Sequence, residues 1–352
     1  MVKSKKLPDW DLSEYYQGED DEKIDKDLKL YAQKAQKFAK DYRGRVAKLS
    51  ADEFLKALKD LETLSVLAEK LSGFSYLNMV TQMQNNKASA LYQRISENLT
   101  EAAKDLLFFS LEYNAISDAA VKKLLQDKRI AFYQPYLKRV RKFKPYELKE
   151  DIEKTLLEKD ITSGSAWVRY YEEFMARLTY EVDGKKYNDA EISKLSLSKD
   201  AKLREKAGKE INRVSSENSF TVGYIYNMII KDKAVEDEKR GFKTPMSARN
   251  LSEEVSDKTV EVLAETVRDN YKDIAWRFYK LKAKLLGVKK INYWDRNAPL
   301  PFESDKKYGW DETVDIVLSA YKEFSPKLYD AAKEFFSHNW IDVAPKTGKR
   351  SG

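Results

Sequence analysis

The stretch from Ser256 to Leu300 restricts the fold more than any other. Val260, Ala264, Val267, Tyr271, Ile274, Phe278, Leu281 and Leu285 follow one another at alternating spacings of four and three. That spacing sets mostly apolar side chains along one face of a helix. Ser256 suits the N-cap, and Asp257 lies in the first turn, where the helix dipole favours an acid. Gly287 suits the residue just past the C-terminus, with Lys282 and Lys284 in the last turn. About thirty residues at ~1.5 Å each give a helix of roughly 45 Å. The pattern predicts a buried central strut of a helical protein.

Composition supports helix and narrows the chemistry. Twelve Gly and eight Pro in 352 residues are few breakers for a chain rich in Leu, Ala, Lys and Glu. Hydrophobic residues make up 42% and aromatics 12%, enough for a substantial core and against disorder. The length suits two domains or one large helical one. The absence of cysteine excludes disulfides, thiolate metal sites and cysteine nucleophiles, and suits a reducing compartment.

The single histidine, His338, limits the chemistry further. A catalytic zinc takes about three protein ligands, His with Cys or a carboxylate, so these residues cannot build a typical site. The motif H-E-x-x-H sets two imidazoles on one helix face with a Glu base between them, and it does not occur here. His338 follows Phe335 and Phe336 at a predicted helix end and reads as a surface or capping residue. Ser337 is its sequence neighbour and would not face it, which removes a Ser–His triad. Carboxylates at helical spacing, such as Asp232 and Glu236, read as a solvated face and not as a glycosidase or metal pair. No glycine-rich phosphate motif occurs; the segment Gly348 to Gly352 is a short basic loop with too few glycines.

The net charge is +7, with the signs interleaved in pairs such as Glu53/Lys56 and Asp269/Lys272 that read as ordinary helix faces. The densest basic run, Leu137 to Lys144, lies near Tyr133, Tyr136 and Phe143. It reads as a linker flank, with no nucleic-acid partner expected. The opening MVKSKKLPDWDL lacks the apolar core of a secretory signal. No run approaches the ~18 apolar residues of a membrane span, and the longest candidate, Tyr224 to Ile230, is far shorter. A soluble cytoplasmic protein with no membrane partner is expected.

Taken in order, the chain predicts an irregular opening at Leu7 to Tyr15 pinned by Trp10 and Leu12, then a helix from about Asp20 to Tyr42. Ser50 and Glu53 form a capping box for a helix running through Leu71. Further helices are expected at Gly73 to Gln84 and Lys87 to Tyr113, and shorter ones at Ser117 to Leu125, Ala131 to Val140 and Lys149 to Lys159, with a break at Pro145. Leu178, Tyr180 and Val182 alternate before Asp183-Gly184, a strong type I′ turn, so Lys185 to Tyr187 is the return strand of a hairpin. A short helix capped by Asn188 or Asp189 follows. A long one is expected to start within Leu195 to Ala207 and reach Tyr226 or beyond, with a second stretch from Met228 to Gly241. Past Leu300 a loop leads to a helix starting at Trp310 or Asp311 and to another with Pro326 at its first position. The tail, WIDVAPKTGKRSG, is extended or looped.

Several segments together resemble the oligoendopeptidase F family of zinc metallopeptidases, which are thimet-oligopeptidase-like. They are the helix end at Lys284 to Gly287, the D-x-x-A-P-L loop at Asp295 to Leu300, W-I-D-x at Trp340 to Val343 and G-K-R-x-G at Gly348 to Gly352. The segment Ser163 to Phe174 is similar to the family's G-x-x-A-W stretch, and Arg204 and Ala207 fit its S-x-D-x-x-x-R-x-x-A helix start. At KPYEL the family commonly has Pro-His-x-Leu, and Tyr146 stands in the histidine position.

The resemblance implies a mostly α, elongated multi-helix architecture with one small β-hairpin, the front part of a two-lobed helical peptidase. It implies an N-terminal helical bundle over 1–112, an oligopeptidase F N-terminal-type domain with the hairpin over 113–187, and the leading part of the catalytic domain over 188–352. In the family the zinc ligands, H-E-x-x-H and a later Glu, follow the last of these segments, so the sequence is expected to stop short of them. The implied activity is zinc-dependent hydrolysis of short peptides. The chain alone is expected to bind no zinc, to have no catalytic or metal residues of its own and to be inactive. Two alternatives stand beside this: half of a split peptidase completed by a separate catalytic chain, and a non-catalytic helical module that binds short peptides. Lys349 and Arg350 are the candidates for lining a substrate cleft. The apolar residues near Phe335, Phe336, Trp340 and Ile341 are expected to be exposed and to favour oligomerisation.

Overall fold

The first helices form because local caps and an apolar stripe agree. In a computed structural model, which describes residues 7–302, 304 and 306–350, α1 (Glu22–Tyr42) is capped by Asp21 and buries Ile24, Leu28, Tyr31, Ala35, Phe38 and Tyr42. The basic opening at 1–6, and Ser351 and Gly352 of the last motif, lie outside the described residues. Ser50 and Glu53 make the expected capping box for α2 (Ala51–Val80). That helix runs unbroken through Gly73, so the separate helix expected at Gly73 to Gln84 does not exist. Burial of Leu71 and Phe74 on either side of Gly73 outweighs the ~1 kcal/mol that a mid-helix glycine costs.

The helix expected at Lys87 to Tyr113 is instead two, α3 (Asn86–Ala103) and α4 (Leu107–Ala115). The turn between them reorients the chain so that the sequence neighbours Phe108 and Phe109 both enter the core with Phe38, Phe54 and Tyr113. A second apolar cluster, around Tyr16, Leu28, Leu71 and Ile95, joins α1, α2 and α3. These two clusters lie in the N-terminal part, and a third, smaller one gathers Tyr180, Val182, Ile192, Ala207 and Val214.

Next come α5 (Asp118–Leu125), capped by Ser117, and α6 (Gln134–Lys142), preceded by a 3-10 turn. The basic run at 137–144 is spent internally. Arg141 donates to the carbonyls of Tyr113, Asn114 and Ile116 at the C-terminal end of α4, where a cation is favoured. Arg139 and Lys142 pair with Glu254. After α7 (Glu150–Asp160) and α8 (Gly164–Met175), strands β1 (Tyr180–Val182) and β2 (Lys185–Tyr187) form the expected antiparallel hairpin, with Tyr180 opposite Tyr187. Asp183 and Gly184 at φ 54° and 75° adopt the left-handed conformations that a type I′ turn requires.

Asn188 and Glu191 box the start of α9 (Asp189–Leu195). The long helix then breaks earlier than expected, at Asn218, giving α10 (Ala201–Glu217) and α11 (Ser219–Arg240), which ends at Gly241 as predicted. The Asn218 side chain bonds back to the Val214 carbonyl and competes with the helix ladder there. After α12 (Ser247–Ser252), the strut is capped by Ser256 and consists of α13 (Asp257–Asp269), a π-turn at Lys272–Trp276 and α14 (Arg277–Leu285). Its apolar face is not buried as predicted: Ile274 is 67% exposed, and Val267, Tyr271, Phe278 and Leu281 are about half exposed. The periodicity marks a face that favours burial, and no described element lies against it. Helices α15 (Trp310–Phe324) and α16 (Pro326–Ser337) pack on each other. No helix among the described residues is long and apolar enough to cross a membrane.

Two long-range ties organise the C-terminal part. Arg204 on α10 meets Asp295 in the loop after the strut, through Nε at 3.0 Å and Nη2 at 2.8 Å, with side chains only 6% and 8% exposed. The other guanidinium nitrogen, Nη1, donates to the carbonyls of Ser198 and Lys199. The tail then returns to the start of the chain. Trp10 Nε1 donates to the Trp340 carbonyl at 2.6 Å, the Asp11 amide to Asn339, and the Val343 amide to Pro8. The Met83 amide donates to Gly348, and that of Arg350 to Val80, closing the tail onto the end of α2.

Arg204→Ala leaves a buried carboxylate without its partner and is expected to destabilise the fold by about 3–5 kcal/mol. The double change Arg204→Met with Asp295→Leu is expected to cost less than either single change. Urea unfolding midpoints compare them. The open strut face is expected to bind a hydrophobic dye such as ANS and to drive self-association. Ile274→Glu with Phe278→Glu should lower both, at a stability change within about 0.5 kcal/mol per exposed site.

Candidate functional site

The concave surface is built where α8 passes alongside α11. Gly164 opens α8 there: its amide donates to the Asp232 carboxylate at 3.1 Å, and a Cβ at that position would sit 3.1 Å from the same oxygen. Three hollows adjoin this seam, one walled by both helices, one by α8 without α11 and one by α11 without α8. The first, about 620 Å³, lies between α8, the start of α9 and the tail, with Tyr171, Glu172, Met175, Val343, Lys349 and Arg350 in its wall. The second, about 410 Å³, shares Val168 and Glu172 with the first and adds Tyr76, Tyr92, Asp160 and Asp232. The third, about 440 Å³, shares Lys233 and Glu236 with the second and reaches Phe143, Tyr146, Glu147 and Phe242. Shared walls make the three hollows neighbouring widenings of one grooved surface.

Lys349 and Arg350, the residues singled out from sequence, both line the first widening. Both are also tied down. Lys349 Nζ lies 2.9 Å from the buried Asp342 carboxylate and donates to the carbonyls of Asp342 and Ala344. Arg350 pairs with Glu172 of α8 at 2.8 Å and donates to the Tyr76 hydroxyl. Lys346 completes the cluster by pairing with both Asp342 and Asp9. These cations fix the wall of the groove to α8 and to the start of the chain.

At the far end, Arg240 forms a bidentate fork on Glu153 at 2.7 and 2.8 Å, and its Nε meets Glu236 at 2.7 Å. Burial alone would push the Glu153 carboxyl up. The Arg240 fork and the Leu148 amide outweigh that and hold it below the usual carboxylate range. Glu147 is the opposite case. Burial pushes its carboxyl above the ordinary value, and a hydrogen bond from Asn114 Nδ2 at 2.5 Å only partly offsets this. Tyr146 stacks on Phe242 with ring centres 4.1 Å apart.

Sequence reasoning did not single out Glu147, Glu153 or Arg240. They belong to different elements and share no motif. Asp232 and Glu236 were noted only as a solvated pair. Both are half-buried and face the groove, engaged by the Gly164 amide and by Arg240.

Zinc does not fit the residues present. Among the described residues no group of three or more His, Cys, Asp or Glu side chains is placed to share a metal ion. His338 is exposed, its Nδ1 lies 3.0 Å from the Glu334 carbonyl and, contrary to expectation, 3.4 Å from Ser337 Oγ, and its ring stacks on Trp340.

A family model described as oligopeptidase F matches residues 112–180, which run from the end of α4 to the first strand. Oligopeptidase PepF of Bacillus subtilis is 19% identical over 88% of this chain and 47% of its own length. The group B oligopeptidase PepB of Streptococcus agalactiae is 22% identical over 76% of this chain and 44% of its own. The chain thus spans about half the length of the curated relatives it matches. A crystal structure of oligoendopeptidase-F from Enterococcus faecium superposes with a TM-score of 0.72 at 18% identity, over 90% of this chain and 60% of that one, and shows the same fold. Residues 112–180, the stretch that leads into the hairpin, thus match the oligopeptidase F family model, distant relatives align along most of the remaining helices, and the described residues share the fold of oligoendopeptidase F structures.

Proposed function

We propose that these residues form the helical scaffold and the peptide-facing wall of a zinc-dependent oligoendopeptidase that hydrolyses short peptides. The observation that carries this is the run of adjoining hollows on α8 and α11 in a chain that resembles this family. A run of hollows suits an extended peptide, whose side chains enter successive widenings. In this reading residues 1–112 brace the groove, 113–187 supply the α8 side, and 188–352 begin the catalytic domain. Zinc supplies an activated water when bound in a peptidase of this kind. Its ligands and the general base would come from residues other than these 352, which hold one histidine and no cysteine. The chain alone is then inactive.

The uncovered apolar face of the α13–α14 strut favours completion by further polypeptide, in the same chain or on a second one as in a split peptidase. The lack of cysteine suits a cytoplasmic setting.

The purified chain is expected to carry no stoichiometric zinc by metal analysis and to leave an internally quenched peptide uncut, while still binding it. Co-expression with polypeptide from the same genome that carries H-E-x-x-H is expected to bring zinc binding and cleavage together. Stoichiometric zinc and cleavage by the chain alone would overturn the proposal.

A further inference from the structure

The third widening has a chemistry that peptide binding by itself does not demand. Its two cations are already engaged, Arg240 by Glu153 and Glu236, and Lys233 by Asp237 at 2.5 Å. Glu147 is left over. Its carboxylate accepts from Asn114 and has no ion pair among the described residues. Behind it Asn114, 1% exposed, leaves Oδ1 without a donor on the same amide that serves Glu147. Glu147 therefore has no direct ion pair among the described residues, with Lys144 and Arg141 acting on it only at longer range, and the amide beside it keeps a buried acceptor without a donor.

The opposite character of this cavity is aromatic. Tyr146 and Phe242 stack nearly parallel, 14° apart, in the same wall as Phe143. Aromatic faces attract cations, most strongly where water is excluded. The adjoining widening extends the same sign: Asp160, Glu172 and Asp232 stand there with Arg169 as the further cation, beside Tyr76 and Tyr92. This lies on a chain whose net charge is +7, so the acidic lining is a local feature of the groove and not a consequence of composition.

We infer that this end of the groove is a subsite for the cationic side chain of a basic peptide. Glu147 is its charge partner, and the Tyr146–Phe242 pair forms its aromatic wall. The inference rests on the peptide-binding reading and names the class of peptide. Arginine suits the site best, because its planar guanidinium presents several N–H donors at once and lies flat against aromatic rings. Lysine offers the same charge as a compact point.

The test needs no catalysis. Binding of the chain to a fluorescent, end-blocked octapeptide with one arginine is compared with the same peptide carrying citrulline, which keeps the shape and removes the charge. The arginine peptide is expected to bind about tenfold tighter or more, the worth of one charge-assisted hydrogen-bonded contact. Glu147→Gln, which keeps an acceptor for Asn114, is expected to abolish the difference while leaving the unfolding midpoint near that of the parent. Equal binding of the two peptides overturns the subsite and leaves peptide binding standing. An arginine preference that persists undiminished in Glu147→Gln also overturns it, since the cation is then held elsewhere. Failure to bind either peptide overturns both the subsite and the reading on which it rests.

Discussion

The C-terminal part of this molecule depends on one buried ion pair. Arg204 and Asp295 sit on segments far apart in the chain, and their side chains are almost wholly withdrawn from water. Such a pair gains little over a well-packed apolar pair, because desolvating two charges offsets most of their attraction. Its effect is geometric. The guanidinium has a fixed fork of donors, and here they reach Asp295 and the carbonyls of Ser198 and Lys199 together. Only one placement of the loop against α10 satisfies all of them. Once it is set, Gly208 must stay bare, since a Cβ there would lie 2.7 Å from the Cβ of Trp294. Ala207 and Ala298 are buried along the same part of the chain. The arginine, the small residues and the D-x-x-A-P-L loop, which read in sequence as separate motifs, are therefore joined by a shared physical requirement.

The second constraint is the closure of the tail on the start of the chain. The Asp342 side chain is nearly buried with Lys346 and Lys349 on either side, and Lys346 reaches on to Asp9. Backbone bonds at Pro8, Asp11, Val80 and Met83 flank this cluster. The wall of the first widening is thus made from the tail, α8 and the start of α9, and the start of the chain holds the tail in place. The basic residues that drew attention as cleft lining do line it, and the same ion pairs hold the wall in place.

What was legible from sequence was what local chemistry decides. Ser50 with Glu53, Ser117, Asn188, Gly241 and Ser256 all cap the helices expected of them, because a cap needs only its own turn. Asp183-Gly184 set the hairpin for the same reason. Helix continuity was less legible. Gly73 looked like a boundary and is not one, since flanking apolar contacts override propensity. Asn218 looked innocuous and breaks a helix by bonding its own backbone. The strut shows the limit most clearly. Period gives the direction of an apolar face but not what covers it. The groove was legible only at Lys349 and Arg350. Glu147, Tyr146, Arg240 and Phe242 meet through the packing of α4, α7 and α11, and no spacing rule links them.

The contrast between a basic chain and the acidic second and third widenings has a physical consequence of its own. A charge of +7 spread over the surface repels a basic peptide at a distance, but in physiological salt exposed charges are screened beyond ~8 Å. Inside the groove, the carboxylates act at contact range between low-dielectric walls, where screening is weak and the field is focused. A basic peptide is therefore not drawn in by the molecule as a whole. It meets attraction only after it has entered, and the attraction rises toward the Glu147 end, where that carboxylate has no direct ion pair among the described residues. This arrangement selects by what fits the groove more than by charge alone. A polycation too bulky to enter gains nothing from Glu147, whereas a short peptide that lies along α8 and α11 gains its charge contact at one end. The same screening that weakens distant repulsion leaves that contact largely intact, so added salt removes more of the opposition to binding than of the attraction within the cavity.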